Sequence, residues 1–349
     1  MKRETWLGLY NKLTGLIDKL PGGLQKPILS ELTPIRMTFL EARPARLMIL
    51  GPEGAAIPEA LLSLYGGRAL HAGPSEQGWR EYETDDAGGV HILDARDDVP
   101  ASCIGPALAA KSPDAAIIFP GRMTPEELAT SALRVSTLPS SIPVVVIASG
   151  LPMTKGAVID ALRGHQSLTD RKPAILDGDN AEEAADGICR ILPDPARLNF
   201  ARMTGAKKAR IRIARSLLKS FTAVCGVIAV QPIPLADLPI LVTLQTLMVA
   251  LIIHTSGRKA SFRLIVEFLT ALGANIGAGL LFREGARTLL KIIPLWGHAI
   301  SGVVAGAGTY AIGRAAIAYF IGEVPISQAK ILFKKLLPAK NPDPSLPEI

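Results

Sequence analysis

Residues 46–66 read R-L-M-I-L-G-P-E-G-A-A-I-P-E-A-L-L-S-L-Y-G, and this stretch decides the fold. An apolar run, Leu47 to Leu50, ends at Gly51, and an apolar helical pattern resumes at Ala60. Strand, glycine turn and helix in that order are the layout of a phosphate-binding P-loop. The working motif is G-x-x-x-x-G-K-[ST]. Its glycines turn backbone N–H groups toward the phosphates, its lysine meets the terminal phosphates and its hydroxyl holds Mg²⁺. Here Gly51 takes the first position and Gly54 lies within the loop. Ala56 replaces the second glycine, Ile57 the lysine and Pro58 the hydroxyl residue. Pro58 also deletes an N–H at the helix start, where a phosphate needs one. The stretch therefore predicts the turn without the nucleotide chemistry, and with it neither cofactor nor metal.

On the C-terminal side, short apolar runs alternate with helical stretches as far as about Leu192. The strands expected are Leu47–Leu50, Val90–Leu93, Ala115–Phe119, Val144–Ala148 and Ala174–Leu176. The helices expected are Pro58–Tyr65, Pro125–Thr137, Thr154–Leu162 and Ala181–Ile191. Continuous apolar strands between helices predict a mostly parallel sheet covered on both faces, the α/β class. On the N-terminal side, Trp6, Leu9, Tyr10, Leu13, Leu16, Ile17 and Leu20 fall at helical spacing, and Pro21-Gly22-Gly23 ends that helix. A second helical stretch runs from about Ile28 to Glu41, and Arg43-Pro44 marks the boundary.

Beyond Pro193 and Pro195 a basic helix follows. Lys208, Arg212, Arg215 and Lys219 fall on one face, and Ile211, Ala214, Leu218 and Phe221 on another. Two readings fit: a solvated linker helix, or an interfacial helix meeting anionic lipid headgroups. From Phe221 to Gly322 the chain is apolar and rich in Gly and Ala, which predicts an all-α, Gly/Ala-rich helical domain. Gly273 with Gly277, and Gly302 with Gly306, have the spacing that lets helix backbones approach closely. The organisation expected is amphipathic helices over 1–43, a P-loop-like domain over 44–195, a basic linker helix over 196–222, the helical domain over 223–337 and a disordered tail over 338–349.

A spanning helix needs about 20 apolar residues. The stretch 236–253 opens with Asp237-Leu238-Pro239, 264–282 contains Glu267 and Asn275, and the last contains Arg314. Basic residues flank every candidate: Lys219, then Arg258, Lys259 and Arg263, then Arg283, Arg287 and Lys291. Alternate loops of a spanning protein should be poor in Lys and Arg. A peripheral bundle, or a re-entrant hairpin broken at Gln231–Pro234, fits better, with a soluble helical domain as the alternative. Arg314 needs a partner, for which Glu267 is the candidate. Asp237 is read as a cap or turn residue, and Trp6 and Trp296 as packing or interface anchors.

The 349 residues allow two domains. Net charge is +7, the hydrophobic fraction 48% and the aromatic fraction 5%. A basic excess points to nucleic acid or an anionic membrane, and no aromatic residues alternate with the basic clusters as RNA stacking requires. Cys103, Cys189 and Cys225 are too far apart for a metal motif and read as reduced thiols.

These residues together resemble a family. Residues 46–66 and the order of the later strands look like the G domain of bacterial Era-like GTPases. Residues from about Ala206 to Leu337 resemble the helical domain of unknown function that follows the G domain in one bacterial group. The carrying segments are residues 229–240 (A-V-Q-P-I-P-L-A-D-L-P-I), 243–248 (T-L-Q-T-L-M) and 306–320 (G-A-G-T-Y-A-I-G-R-A-A-I-A-Y-F). The resemblance implies a D-x-x-G motif after a strand. Here Asp94 follows Val90–Leu93, but Asp97 stands at the glycine. It implies an N-K-x-D base reader after Val144–Ile147, where Ala148, Ser149 and Leu151 stand instead. It implies a switch threonine near Glu76–Trp79, with Trp79 at that position. Each source of GTP affinity is thus missing, and phosphoryl transfer is positioning plus electrostatics.

The expectation is a degenerate member of that group, a pseudo-GTPase and not an enzyme. It would act at a lipid surface on the cytoplasmic face of the inner membrane, binding no nucleic acid. Its protein partner would be an active GTPase or a second copy of the chain. Two alternatives stay open: a divergent GTP-binding enzyme using Glu53, Asp94, Asp97 and Asp98 on a metal, against which these read as solvated loop carboxylates, and a soluble cytosolic scaffold.

Overall fold

The computed structural model describes residues 22–51, 63–65, 71–84, 88–96, 99–120, 125–148, 170–230, 237–273 and 302–337, with Asn11, Thr14, Gly15, Ile17, Asp18 and Leu168. The chain divides into two compact units, residues 37–210 and residues 1–36 with 211–349.

The first unit is built on its apolar runs. Strands β1 (Ala45–Leu50), β2 (His71–Glu76), β3 (Trp79–Thr84), β4 (Gly88–Asp94), β5 (Ala115–Ile118), β6 (Val144–Ala148) and β7 (Ala174–Asp177) form one sheet in the order β2-β3-β4-β1-β5-β6-β7. Five strands are parallel, from β4 to β7 through β1, and β3 runs antiparallel to β2 and β4. β1 sits between β4 and β5, with Leu47 opposite Ile92 on one side and Ala115 on the other. Runs such as Ala115–Ile118 are buried throughout because both faces of a central parallel sheet are covered. Met48, Leu50, Ile118, Val144 and Val146 share one core with Ile104 and Ala107 of α2 (Ala101–Ala110) and Ala132 and Val135 of α3 (Pro125–Ser136). The intervening Leu47, Ile49, Ile117 and Val145 point to the opposite face and are equally buried. There α4 (Ala181–Ile191) packs on β7 and α5 (Asp194–Met203) on β4 and β1.

Four elements go beyond the apolar pattern. The sequences of β2 (H-A-G-P-S-E) and β3 (W-R-E-Y-E-T) are too polar for buried strands. They form a half-exposed hairpin at the sheet's edge, where alternation, not a continuous run, is what pairing requires. Its turn uses Gln77 and Gly78, both at positive φ, as a tight two-residue hairpin demands. Helix α2 hides in a short, Ala-rich segment, and α5 begins between the boundary prolines, with Pro193 as its N-cap and Pro195 in its first turn. Because α5 packs on the sheet, the α/β unit runs to 210, past the boundary expected at 195. The predicted helix 154–162 and the helix start at Pro58 lie outside the described residues.

The second unit contains most of α1 (Gly22–Phe39), the larger part of α6 (Lys207–Val230), and α7 (Asp237–Thr255), α8 (Phe262–Leu272), α9 (Gly302–Phe320) and α10 (Ile326–Leu336). α7 is apolar all round, and Leu247 to Ile253 are consecutively buried, which is how a helix surrounded by protein reads. α9 crosses α6 at two glycines. A Cβ on Gly306 would meet Gly226 Cα at 3.9 Å, and one on Gly313 would meet the Leu218 side chain and Met248 Sδ. Between them Thr309, fully buried, accepts a hydrogen bond from Gln245 Nε2 (3.0 Å). Phe268 of α8 stacks on Tyr319 and tilts against Phe320. Glu267 does not serve Arg314 as expected. It accepts from Arg263 Nε, one turn away on the same helix (2.7 Å), where i,i+4 spacing makes the two side chains neighbours.

Candidate functional site

In open sheets with this topology a ligand sits beyond the carboxyl ends of the strands, where neighbouring connections diverge. That place is the end of β1. Gly51 follows Leu50 there and is buried. The remaining loop positions Gly54, Ala56, Ile57 and Pro58 lie outside the described residues. So do Glu53, Asp97, Asp98, Ser149 and Leu151.

The described rim is occupied by the chain itself. Asp94 ends β4, and its carboxylate is gripped by the Arg96 guanidinium, Nε to Oδ1 at 2.9 Å and Nη2 to Oδ2 at 2.7 Å. Ala95 N–H continues the ladder to Ile49 O (2.9 Å). Arg134, in the last turn of α3, donates to the carbonyls of Ala95, Arg96 and Val99. The segment after β4 is thereby tied to α3. At the end of β6, the Ala148 carbonyl accepts from Gly178 N–H (2.7 Å). Among the described residues no three His, Cys, Asp or Glu side chains converge as a metal site would need.

Trp79 stands where the resemblance implies a switch threonine. It is 1% exposed, and its indole N–H donates to Ala107 O (2.9 Å) near the end of α2. The hairpin tip closes on the same helix: a Cβ at Gly78 would lie 3.0 Å from Ala107 Cβ. Lys111, just past α2, reaches back to Glu76 (2.9 Å). Three contacts thus fasten the hairpin to α2.

No family model matches the chain, and no curated protein matches it. Its chemistry must be read from these residues.

The basic face expected on α6 is assembled by the helix. Lys208, Arg212, Arg215 and Lys219 are all exposed, while Ala214, Leu218 and Phe221 are buried and Ile211 is half-buried. The exposed line continues through Ala223 to Val227, turning from basic to apolar along the helix. The helix start is anchored in the α/β unit. Asp186, 2% exposed on α4, accepts from Ala209 N–H (2.7 Å), placing a carboxylate at the positive end of the helix. Among the described residues no helix is long and apolar enough to cross a membrane.

Sequence reasoning missed Arg96, Arg134 and Asp186. Arg134 and Asp186 act across elements distant in sequence, which no periodicity reveals. Arg96 stands two residues from Asp94, and that spacing was the available signal.

Proposed function

We propose that this chain is a pseudo-GTPase: a P-loop GTPase-like α/β domain that neither binds nor hydrolyses GTP, followed by an all-α, Gly/Ala-rich domain that works at a membrane surface. The observation that carries the reading is Trp79. A switch residue must leave and re-form contacts as the γ-phosphate comes and goes. Here the residue at that position is a buried indole hydrogen-bonded to α2, so moving it would open the core. Asp94 supports the same conclusion: the carboxylate that the divergent-enzyme alternative would place on a metal is paired with Arg96. The strand order, with β1 central and one antiparallel hairpin added to a parallel sheet, supports the GTPase-like fold.

The membrane part rests on α6. No acidic residue occurs between Asp194 and Asp237, and the four basic side chains form one exposed line. Such a face suits the anionic cytoplasmic leaflet of the inner membrane. The α/β domain then serves as a docking surface for an active GTPase or a second copy of the chain. The test is titration of the purified protein with a fluorescent GTP analogue, with and without Mg²⁺. The expected result is no saturable binding into the millimolar range and no rise in melting temperature, which any ligand of the folded state must produce. Saturable, Mg²⁺-dependent micromolar binding would sink the reading.

A further inference from the structure

The net charge of +7 conceals a division. Residues 37–210 hold 18 basic and 22 acidic side chains, a net −4, whereas residues 1–36 with 211–349 hold 20 basic and nine acidic, a net +11. The whole basic excess therefore belongs to the helical unit, and α6 accounts for only part of it.

A second exposed face in that unit has a different composition. On α10 the exposed residues are Ser327, Gln328, Ile331, Lys334 and Lys335, one turn after another along one side. Ile331 is 67% exposed. Phe333 and Leu336 beside it are half-exposed, and α10 contains no acidic residue. Helix α8 packs on α10 and opens with Phe262, 57% exposed. The one carboxylate of α8, Glu267, is already paired with Arg263. Large apolar side chains exposed beside lysines, with no unpaired carboxylate on either helix, are the composition of an interfacial helix. Its apolar residues enter the boundary between headgroups and acyl chains while the cations meet phosphates.

We infer that α10 and the first turn of α8 form a second contact with anionic lipid, in which Phe262 and Ile331 insert and Lys334 and Lys335 bind headgroup phosphates. This rests on the membrane reading above. It adds an apolar anchor to a contact that α6 makes mainly by charge. A second copy of the chain is the poorer occupant, because two such faces would set Lys334 and Lys335 against their counterparts with only Glu323, in the turn before α10, to answer them.

The test is co-sedimentation of the full chain with vesicles of phosphatidylglycerol and of phosphatidylcholine, at low and high salt. The variants are Phe262→Ser with Ile331→Ser, and Arg212→Gln with Arg215→Gln and Lys219→Gln. All five side chains are exposed, so both variants should melt as the parent does. Binding to phosphatidylglycerol is expected, with a part that survives high salt. The double serine variant should lose that part, by about tenfold in affinity for about 1.4 kcal/mol of lost insertion, and the glutamine variant should lose the salt-sensitive part. A double serine variant that binds like the parent at every salt overturns this inference and leaves the α6 reading standing. A parent that dimerises through Ile331, shown by a dimer that the serine variant loses, also overturns it. A parent that binds neither vesicle removes the membrane reading and this inference together.

Discussion

Asp114 shows how single residues hold the first unit together. Its side chain is 5% exposed and accepts two hydrogen bonds from Arg43, at 2.7 and 2.5 Å, and one from Arg46 N–H at 2.8 Å. The Arg46 guanidinium lies close by at 3.9 Å, its pKa lowered first by burial and then by Arg43. Removing the carboxylate leaves two cations facing each other in a half-buried site. Asp114→Ala should therefore cost about 3–5 kcal/mol, read as a lower urea midpoint with unchanged slope. Tyr65 is the opposite case. Its ring is 1% exposed and meets Phe200 edge-on, but its hydroxyl finds no partner among the described residues. Tyr65→Phe keeps the packing and relieves an unmet donor, so it should raise stability by about 1 kcal/mol. Burial also raises the pKa of this phenol and pushes the Cys225 thiol up from 9.0 to about 12. Both protons are held more tightly in the folded chain than in the unfolded one. The Cys225 contribution is full below pH 9.0 and is lost as pH rises to about 12, and that of Tyr65 is full below pH 10.0 and is lost above it, each by at most about 1.4 kcal/mol per pH unit. Melting temperature should fall over that window, and less steeply in a Tyr65→Phe, Cys225→Ala variant; parallel curves would count against the assignment.

At the scale of elements, the crossing of α6 and α9 depends on glycine. The side chains of Leu218 and Met248 fill the space that a Cβ on Gly313 would take. Gly313→Leu should cost about 1–3 kcal/mol by overpacking and lower the melting temperature. Gly308→Ala, where a Cβ would meet nothing within 4 Å, should be neutral or better, as alanine favours helix. Equal losses at both positions would mean that the close approach is not what Gly313 supplies. The pairing of Gly302 with Gly306 was legible in the sequence, and Gly306 does lie against Gly226. Gly313 fell outside that spacing because its neighbours come from α6 and α7, which sequence distance hides. The same contrast runs through the sheet. The five parallel strands announced themselves as apolar runs, since β1, β5 and β6 are buried on two faces, which leaves little room for polar side chains. The β2–β3 hairpin did not, because one side of it faces solvent and, among its described residues, Trp79 alone is buried. At the candidate site the missing lysine, hydroxyl and glycine could be read from Ile57, Pro58 and Asp97. The Arg134 bonds to Ala95, Arg96 and Val99 could not, as they arise only when α3 packs against the segment after β4, whereas the Arg96 grip on Asp94 is local and its two-residue spacing was the signal.

For the whole molecule, the proposed membrane role and the division of charge together predict which unit meets lipid. An anionic surface attracts a unit of net +11 and repels one of net −4, with an effect reaching about one Debye length, roughly 8 Å at physiological salt. The lysines that touch lipid should therefore be those of the helical unit and the start of α6, and lysine reactivity can report it. Lys219, Lys334 and Lys335 are exposed in the helical unit, Lys208 at the start of α6, and Lys172 in the body of the α/β unit. With phosphatidylglycerol vesicles present, acetylation followed by mass spectrometry should show protection of the first four and none of Lys172. Raising the salt to about 0.5 M shortens the screening length to about 4 Å. Protection should then fade at Lys208 and Lys219, where contact is by charge alone. It should persist at Lys334 and Lys335, which Ile331 holds near the surface by insertion. Lys172 protected as strongly as Lys334 would mean that the α/β unit meets the bilayer too, and the charge division would then not govern how the protein docks.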